Sequence, residues 1–175
     1  MIDQIVLADA FGVVGFIIVA LWPLARTRRA LLFGQGVSAA AFTVHYLLIG
    51  AATGAVVTSL SLVQVATAWP AGARPWWCHA LYASTSPMLV ALTWATWVGW
   101  PSLLAGLGLG LATAARWQRR GASMRILLLL AAGAWLAHDT LIASAPGVLA
   151  DLLCAGTLLY GWLRDAPRPT ASECL

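Results

Sequence analysis

Seven apolar stretches divide this chain almost end to end, near Ile5–Ala25, Ala30–Ile49, Ala52–Trp69, Trp76–Val98, Pro101–Trp117, Met124–Ala143 and Pro146–Leu163. Each approaches the roughly 17 to 25 residues that a helix needs to cross about 30 Å of hydrocarbon. Hydrocarbon offers no water to a peptide group, so such stretches are read as helices that satisfy their own backbones. Hydrophobic residues make up 61% of the 175 positions and charged residues 9%, against about 25% charged in a soluble domain. The mean hydropathy of +0.85 leaves no segment polar enough for a separate soluble domain. The expected fold class is an all-α membrane protein: one transmembrane domain over residues 1–164, followed by a disordered cytoplasmic tail over 165–175 that is rich in Pro, Ser and Thr.

The breaks between stretches are arginine clusters or turn residues, such as Gly50, Pro70 with Gly72, Gly99–Pro101 and Ser144–Gly147. All ten basic residues are arginines. Arg26, Arg28 and Arg29 follow the first stretch and Arg74 the third; Arg116, Arg119, Arg120 and Arg125 bracket the loop after the fifth; Arg164 and Arg168 follow the seventh. An odd number of crossings puts every one of them on one side, which the positive-inside rule makes cytoplasmic, with the N-terminus outside. The net charge of +4 follows from this anchoring, and no stripe of basic and aromatic residues could follow a phosphate backbone, so nucleic acid is excluded as a partner. The first stretch lacks a basic flank and a small-residue cleavage pattern, so it is expected to be a retained helix rather than a signal peptide. Cys78, Cys154 and Cys174 form no CxxC and imply neither a disulfide framework nor a zinc site; no cofactor is expected.

Residues 42–60, FTVHYLLIGAATGAVVTSL, are echoed without a gap by residues 135–153, WLAHDTLIASAPGVLADLL. Sliding the chain on itself by 93 positions lays Gly15 over Gly108, Phe42 over Trp135, His45 over His138, Tyr46 over Asp139, Gly54 over Gly147 and Thr58 over Asp151. Repeat one then covers about 5–70, repeat two about 101–164, and the stretch over about 76–98 is left as a linker helix. A single linker crossing makes both triplets face the same way, giving parallel repeats about an axis along the membrane normal (3+1+3).

Met124 with Arg125, Trp135–Asp139 (WLAHD), Ser144, Gly147 and Asp151, together with Val44–Gly50 (VHYLLIG), resemble the YgjV family of bacterial inner-membrane proteins over nearly the whole chain. Family members often carry an amide where this chain has Asp139 and a Glu where it has Asp151. They tend to place an Asn and an Arg in the third helix, where this chain offers Thr58, Ser59, Ser61 and Gln64. The resemblance implies location in the bacterial inner membrane, with a plan similar to the SWEET and PQ-loop transporters, although no Pro-Gln pair occurs here.

Candidate site residues are those whose burial in lipid needs a reason, because Asp and His are rare in transmembrane helices and usually face the bundle interior or a water-filled cavity. Asp151 lies about one and a half turns into the seventh helix, with Thr58 at the equivalent depth in the third. His138 and Asp139 lie about one turn from the outer end of the sixth helix, with His45 matching them in the second. The functional reading is a polar pocket in which Asp151, Asp139 and the two histidines bind a polar solute or exchange a proton between walls of Phe42 and Trp135. The competing reading lets the same groups reach the headgroups or cap a neighbouring helix. Asp9 and His79 read as interfacial, most tryptophans as belt anchors, and Gly106 with Gly110 as a close helix contact.

A facilitator or proton-coupled carrier of a small polar solute heads the expected functions, and a non-transporting receptor or assembly partner with the same fold is the alternative. An enzyme is not expected, since no His-rich metal array, Ser-Lys pair or paired Asp motif stands at a usable spacing. The lipid bilayer and the solute are the expected partners, and a homo-oligomer is compatible with the pattern. The first copy of the repeat reads as scaffold and the second as the bearer of charge.

Overall fold

The computed structural model describes residues 2–25, 28–70, 75–118 and 121–164. They form seven helices, α1 (Ile2–Leu21, extended by a 3-10 turn at Trp22–Leu24), α2 (Arg28–Leu48), α3 (Ala52–Ala68), α4 (Trp76–Ala95), α5 (Trp100–Trp117), α6 (Gly121–Leu141) and α7 (Ala145–Arg164), and no strand among the described residues. The helices fall on the seven apolar stretches with ends shifted by a few residues. Arg26, Arg74, Arg119, Arg120, Arg168 and the tail expected to be disordered lie outside the described residues.

Gly50 ends α2 with a φ of 77°, in the left-handed region where glycine meets no Cβ clash. Its amide bonds to the Leu47 carbonyl, that of Ala51 to Tyr46 and that of Ile49 to His45, closing the helix with the reversed bonds of a glycine C-cap. The end of α6 repeats the pattern bond for bond: Ala143 to Thr140, Ser144 to Asp139 and Ile142 to His138. Here Ala143 takes the left-handed conformation, at φ 54°.

Six helices pack in a closed ring, each against two neighbours, in the order α1, α2, α3, α5, α6, α7 and back to α1. The fourth helix lies outside the ring against α3 and α5. Gly106 lets it approach, since a Cβ there would fall 2.9 Å from the Thr93 hydroxyl, whereas one on Gly110 would meet Leu89 at an ordinary contact distance of 3.7 Å. Two further glycines seat aromatic rings. A Cβ on Gly15 would lie 2.8 Å from Phe42, and one on Gly108 2.7 Å from Trp135.

The outer surface is apolar, with exposed Val13, Ile17, Val90, Leu130 and Leu152 on helix flanks and Trp76, Trp94 and Trp100 near helix ends. Soluble monomers do not expose apolar area on this scale. On length and composition alone, two helices qualify as membrane spans, Gln4–Leu24 at hydropathy 2.4 and Ala145–Leu163 at 1.3. Leu32–Leu48 and Ala52–Ala68 are apolar but shorter, and the helices between α1 and α7 turn Thr, Ser, Gln and His side chains into the bundle, including buried Gln35, Thr53, Gln64, Thr85, Ser102 and His138.

Candidate functional site

One face of α2 and one face of α6 look at each other across the middle of the ring. Gln35, Ser38, Ala39, Phe42 and Tyr46 line a central cavity from α2, at the spacing of one helical stripe. Leu128, Ala131, Ala132, Trp135 and Asp139 line it from α6, each 93 positions later. Thr58 and Ser61 on α3 and Asp151 and Cys154 on α7 complete matching walls around about 150 Å³, whereas α4 contributes nothing to the lining.

Equivalent positions meet at one end of this cavity. The Tyr46 hydroxyl donates to the Asp139 carboxylate at 2.8 and 3.0 Å. Asp139 is 2% exposed, and Asp151 lines the same cavity. Gly147 makes room for this arrangement, because a Cβ there would run into the Asp139 carboxyl and 2.8 Å from the Ser144 hydroxyl. Aromatic rings frame the pair: Tyr46 lies between Phe42, at 5.7 Å between centroids, and Trp135, at 6.2 Å with the rings nearly parallel.

Asp151 differs from its counterpart in satisfaction as well as charge. Thr58 accepts from Thr43 at 2.9 Å and donates to the Gly54 carbonyl at 2.8 Å. The position equivalent to Thr43 is Leu136, which offers no donor, and Asp151 Oδ2 is buried without a hydrogen-bond partner.

The far end of the cavity carries a second polar cluster. Arg116 of α5 donates from Nε to Gln35 Oε1 at 3.1 Å and from its terminal nitrogen to Gln64 Oε1. Gln64 in turn donates to the hydroxyls of Thr85 at 2.9 Å and Thr113 at 2.7 Å, which fixes the amide orientation so that its oxygen faces the guanidinium. Gln35 of α2 and Gln64 of α3 thus hold the Arg116 guanidinium of α5, while Thr85 of α4 holds Gln64.

Of the residues singled out from sequence, Asp151, Asp139, Thr58, Trp135 and Phe42 share this cavity, and His45 and His138 stand apart from it. The imidazoles turn toward backbone carbonyls instead, His45 Nδ1 to Ala8 and His138 Nδ1 to Pro101, each at 2.8 Å and each 37 residues upstream. His45 Nε2 also meets the Ser144 hydroxyl at 2.9 Å, tying α2 to the turn before α7. Sequence reading missed Tyr46, Gln35, Ser38 and Arg116. Two signals were available: amides inside apolar stretches, and Tyr46 opposite Asp139 in the repeat. Arg116, one residue from the end of the fifth stretch, reads from sequence as one of the cytoplasmic arginines that bracket the following loop. The first half is also more than scaffold, since it supplies Gln35, Ser38, Thr58 and Ser61 where the second half has Leu128, Ala131, Asp151 and Cys154.

Among the described residues, no three His, Cys, Asp or Glu side chains gather as a metal site would require. A sequence profile of the family Imp-YgjV, described as bacterial inner membrane protein, matches residues 6–168. The chain belongs to that family. No curated protein and no solved structure matches it.

Proposed function

From membership of this bacterial inner-membrane family, we propose that the chain is a multi-pass carrier of a small polar solute, built as two parallel three-helix repeats around the central cavity with α4 as the connecting crossing. The observation that supports it most is the shared wall: α2 and α6 present equivalent stripes to one cavity, as alternating access around a site at a repeat interface requires. The arginines set the arginine end in the cytoplasm and the N-terminus outside. The histidine end is then the outer end, and there the two halves are tied by Tyr46 to Asp139 and His45 to Ser144. A solute reaching the cavity from the arginine end would pass Arg116 and Gln35 and meet the carboxyl pair at the closed end.

In this reading the Asp139–Asp151 pair is the exchange group. It holds a proton when no solute competes for it, and releases or retains that proton as the outer ties break and re-form. Removing one titratable member leaves the cavity's shape almost unchanged but abolishes the exchange.

Proteoliposomes loaded with a small-solute panel test this directly. Uptake by the wild type that responds to an imposed pH gradient, with Asp151→Asn losing that response, is the expected result. Binding without uptake across the panel would instead favour a receptor or assembly partner with the same fold, and neither binding nor uptake would end the carrier reading.

A further inference from the structure

Arg116 is a cation turned into the bundle, and among the described residues no carboxylate pairs with it. Its guanidinium is held by two neutral groups, Gln35 Oε1 at Nε and Gln64 Oε1 at one terminal nitrogen. A charged side chain in a membrane bundle ordinarily pairs with an opposite charge or faces a water-filled cavity, because a charge taken out of water without compensation is costly. Arg116 lines the central cavity.

Arginine only donates, so Gln35 must present its oxygen to Arg116, which turns its amide nitrogen away from the guanidinium. That nitrogen, the second terminal nitrogen of Arg116 and the Ser61 hydroxyl make no hydrogen bond among the described residues. All three atoms keep accessible surface, since the buried side-chain atoms without a partner are those of Thr93, His138 and Asp151. Gln35 and Ser61 are otherwise buried, at 6% exposure each, and they share with Arg116 the wall of the cavity. The other half of the repeat has no such group: Leu128 stands for Gln35, Cys154 for Ser61 and Pro23 for Arg116. One positive charge and three unused donors thus gather at one end of the cavity.

We propose that this end binds the carboxylate of a small monocarboxylic acid, whose hydrocarbon body lies along the cavity toward Phe42; naming that acid as the cargo rests on the carrier reading above. A carboxylate brings two acceptor oxygens, which the donors of Arg116 and of Gln35 or Ser61 can share. Beyond them the walls are largely hydrocarbon, with Ala39 and Phe42 on α2, Leu109 and Ala112 on α5, and Ala131 and Ala132 on α6. One guanidinium matches one negative charge, whereas a phosphate with nearly two would leave charge uncompensated. Gln35 and Tyr46 stand 11 residues apart on α2, about 16 Å of helical rise, so the bound anion is kept away from Asp139. A cavity of about 150 Å³ accommodates a molecule about as large as benzene, and butyrate has the same number of heavy atoms.

The test dialyses the full chain in detergent to equilibrium against radiolabelled butyrate, with butyramide and phosphate as competitors, and measures butyrate uptake by the same protein in proteoliposomes. The wild type is expected to bind butyrate saturably, with both competitors at least about tenfold weaker. Arg116→Gln weakens binding about a hundredfold, the equivalent of a lost charged hydrogen bond. Ser61→Ala removes a hydroxyl that bonds no other protein group, so it leaves the fold intact and weakens binding about fivefold. No saturable butyrate binding, equal competition by butyramide or phosphate, or an unchanged affinity in both variants overturns the proposal. Butyrate bound but not taken up upholds the site and removes butyrate as cargo, whereas uptake of another solute without butyrate binding overturns the site and leaves the carrier reading standing.

Discussion

The turn between α2 and α3 and the turn between α6 and α7 share one backbone and carry different chemistry. Their capping hydrogen bonds coincide at an offset of 93 positions, and so do the carbonyls to which the two histidines turn. On that common frame, Gly50 faces Ala143, Ala51 faces Ser144, Tyr46 faces Asp139 and Thr58 faces Asp151. Backbone geometry is set by peptide groups that every residue possesses, and it tolerates such exchanges. Side-chain partners must be matched one to one, so a single exchange leaves an atom unsatisfied, as at His138 Nε2 and Asp151 Oδ2.

Equivalent substitutions should therefore diverge wherever the side chains differ. The largest difference is expected at Gly54 and Gly147. Gly147→Ala drives a methyl group into the Asp139 carboxyl, breaking its bond to Tyr46 at a cost of about 2 to 3 kcal/mol. Gly54→Ala meets His138 and Tyr46 at 3.0 to 3.1 Å and should cost under about 1 kcal/mol, because both rings can give slightly. Thermal unfolding of the detergent-solubilised protein, followed by tryptophan fluorescence, measures both; equal losses would show that the asymmetry at the carboxyl pair has no energetic weight.

Smaller effects are expected at the caps. Ser144→Ala removes a hydroxyl that accepts from the Gly147 amide and bonds His45, and should destabilise by about 1 to 2 kcal/mol, whereas Ala51→Ser should stabilise by about 1 kcal/mol. The same melting assay would sharpen the comparison if the two changes proved opposite in sign. Smallest is the left-handed residue. Ala143→Gly should gain about 1 kcal/mol by relieving a Cβ clash at φ 54°, and Gly50→Ala should lose a similar amount at φ 77°.

Much of this arrangement is legible in the sequence, and the limits are physical. Helix positions follow from apolar length and from Gly, Pro and Arg at the ends, since those residues act locally. The 93-residue register follows from residues 42–60 alone, and it foretells that Phe42 and Trp135 play the same part. What the register does not carry is which helices become neighbours. That is why the histidines were expected in one pocket with Asp151, when each instead reaches a carbonyl of α1 or α5. Arg116 illustrates the other limit. An arginine near a helix end can snorkel outward or fold inward, and the choice depends on Gln35 and Gln64, which come from two other helices.

The contact between Tyr46 and Asp139 joins a residue to its own counterpart. Were the two helices identical chains assembled side by side, that contact would pair tyrosine with tyrosine or aspartate with aspartate, and no sequence could set a phenol against a carboxylate there. A single continuous polypeptide lifts that restriction. Covalent union is thus what lets the two positions diverge, so that a phenol donates to a carboxylate where they meet and the two sides of the bundle need not behave alike.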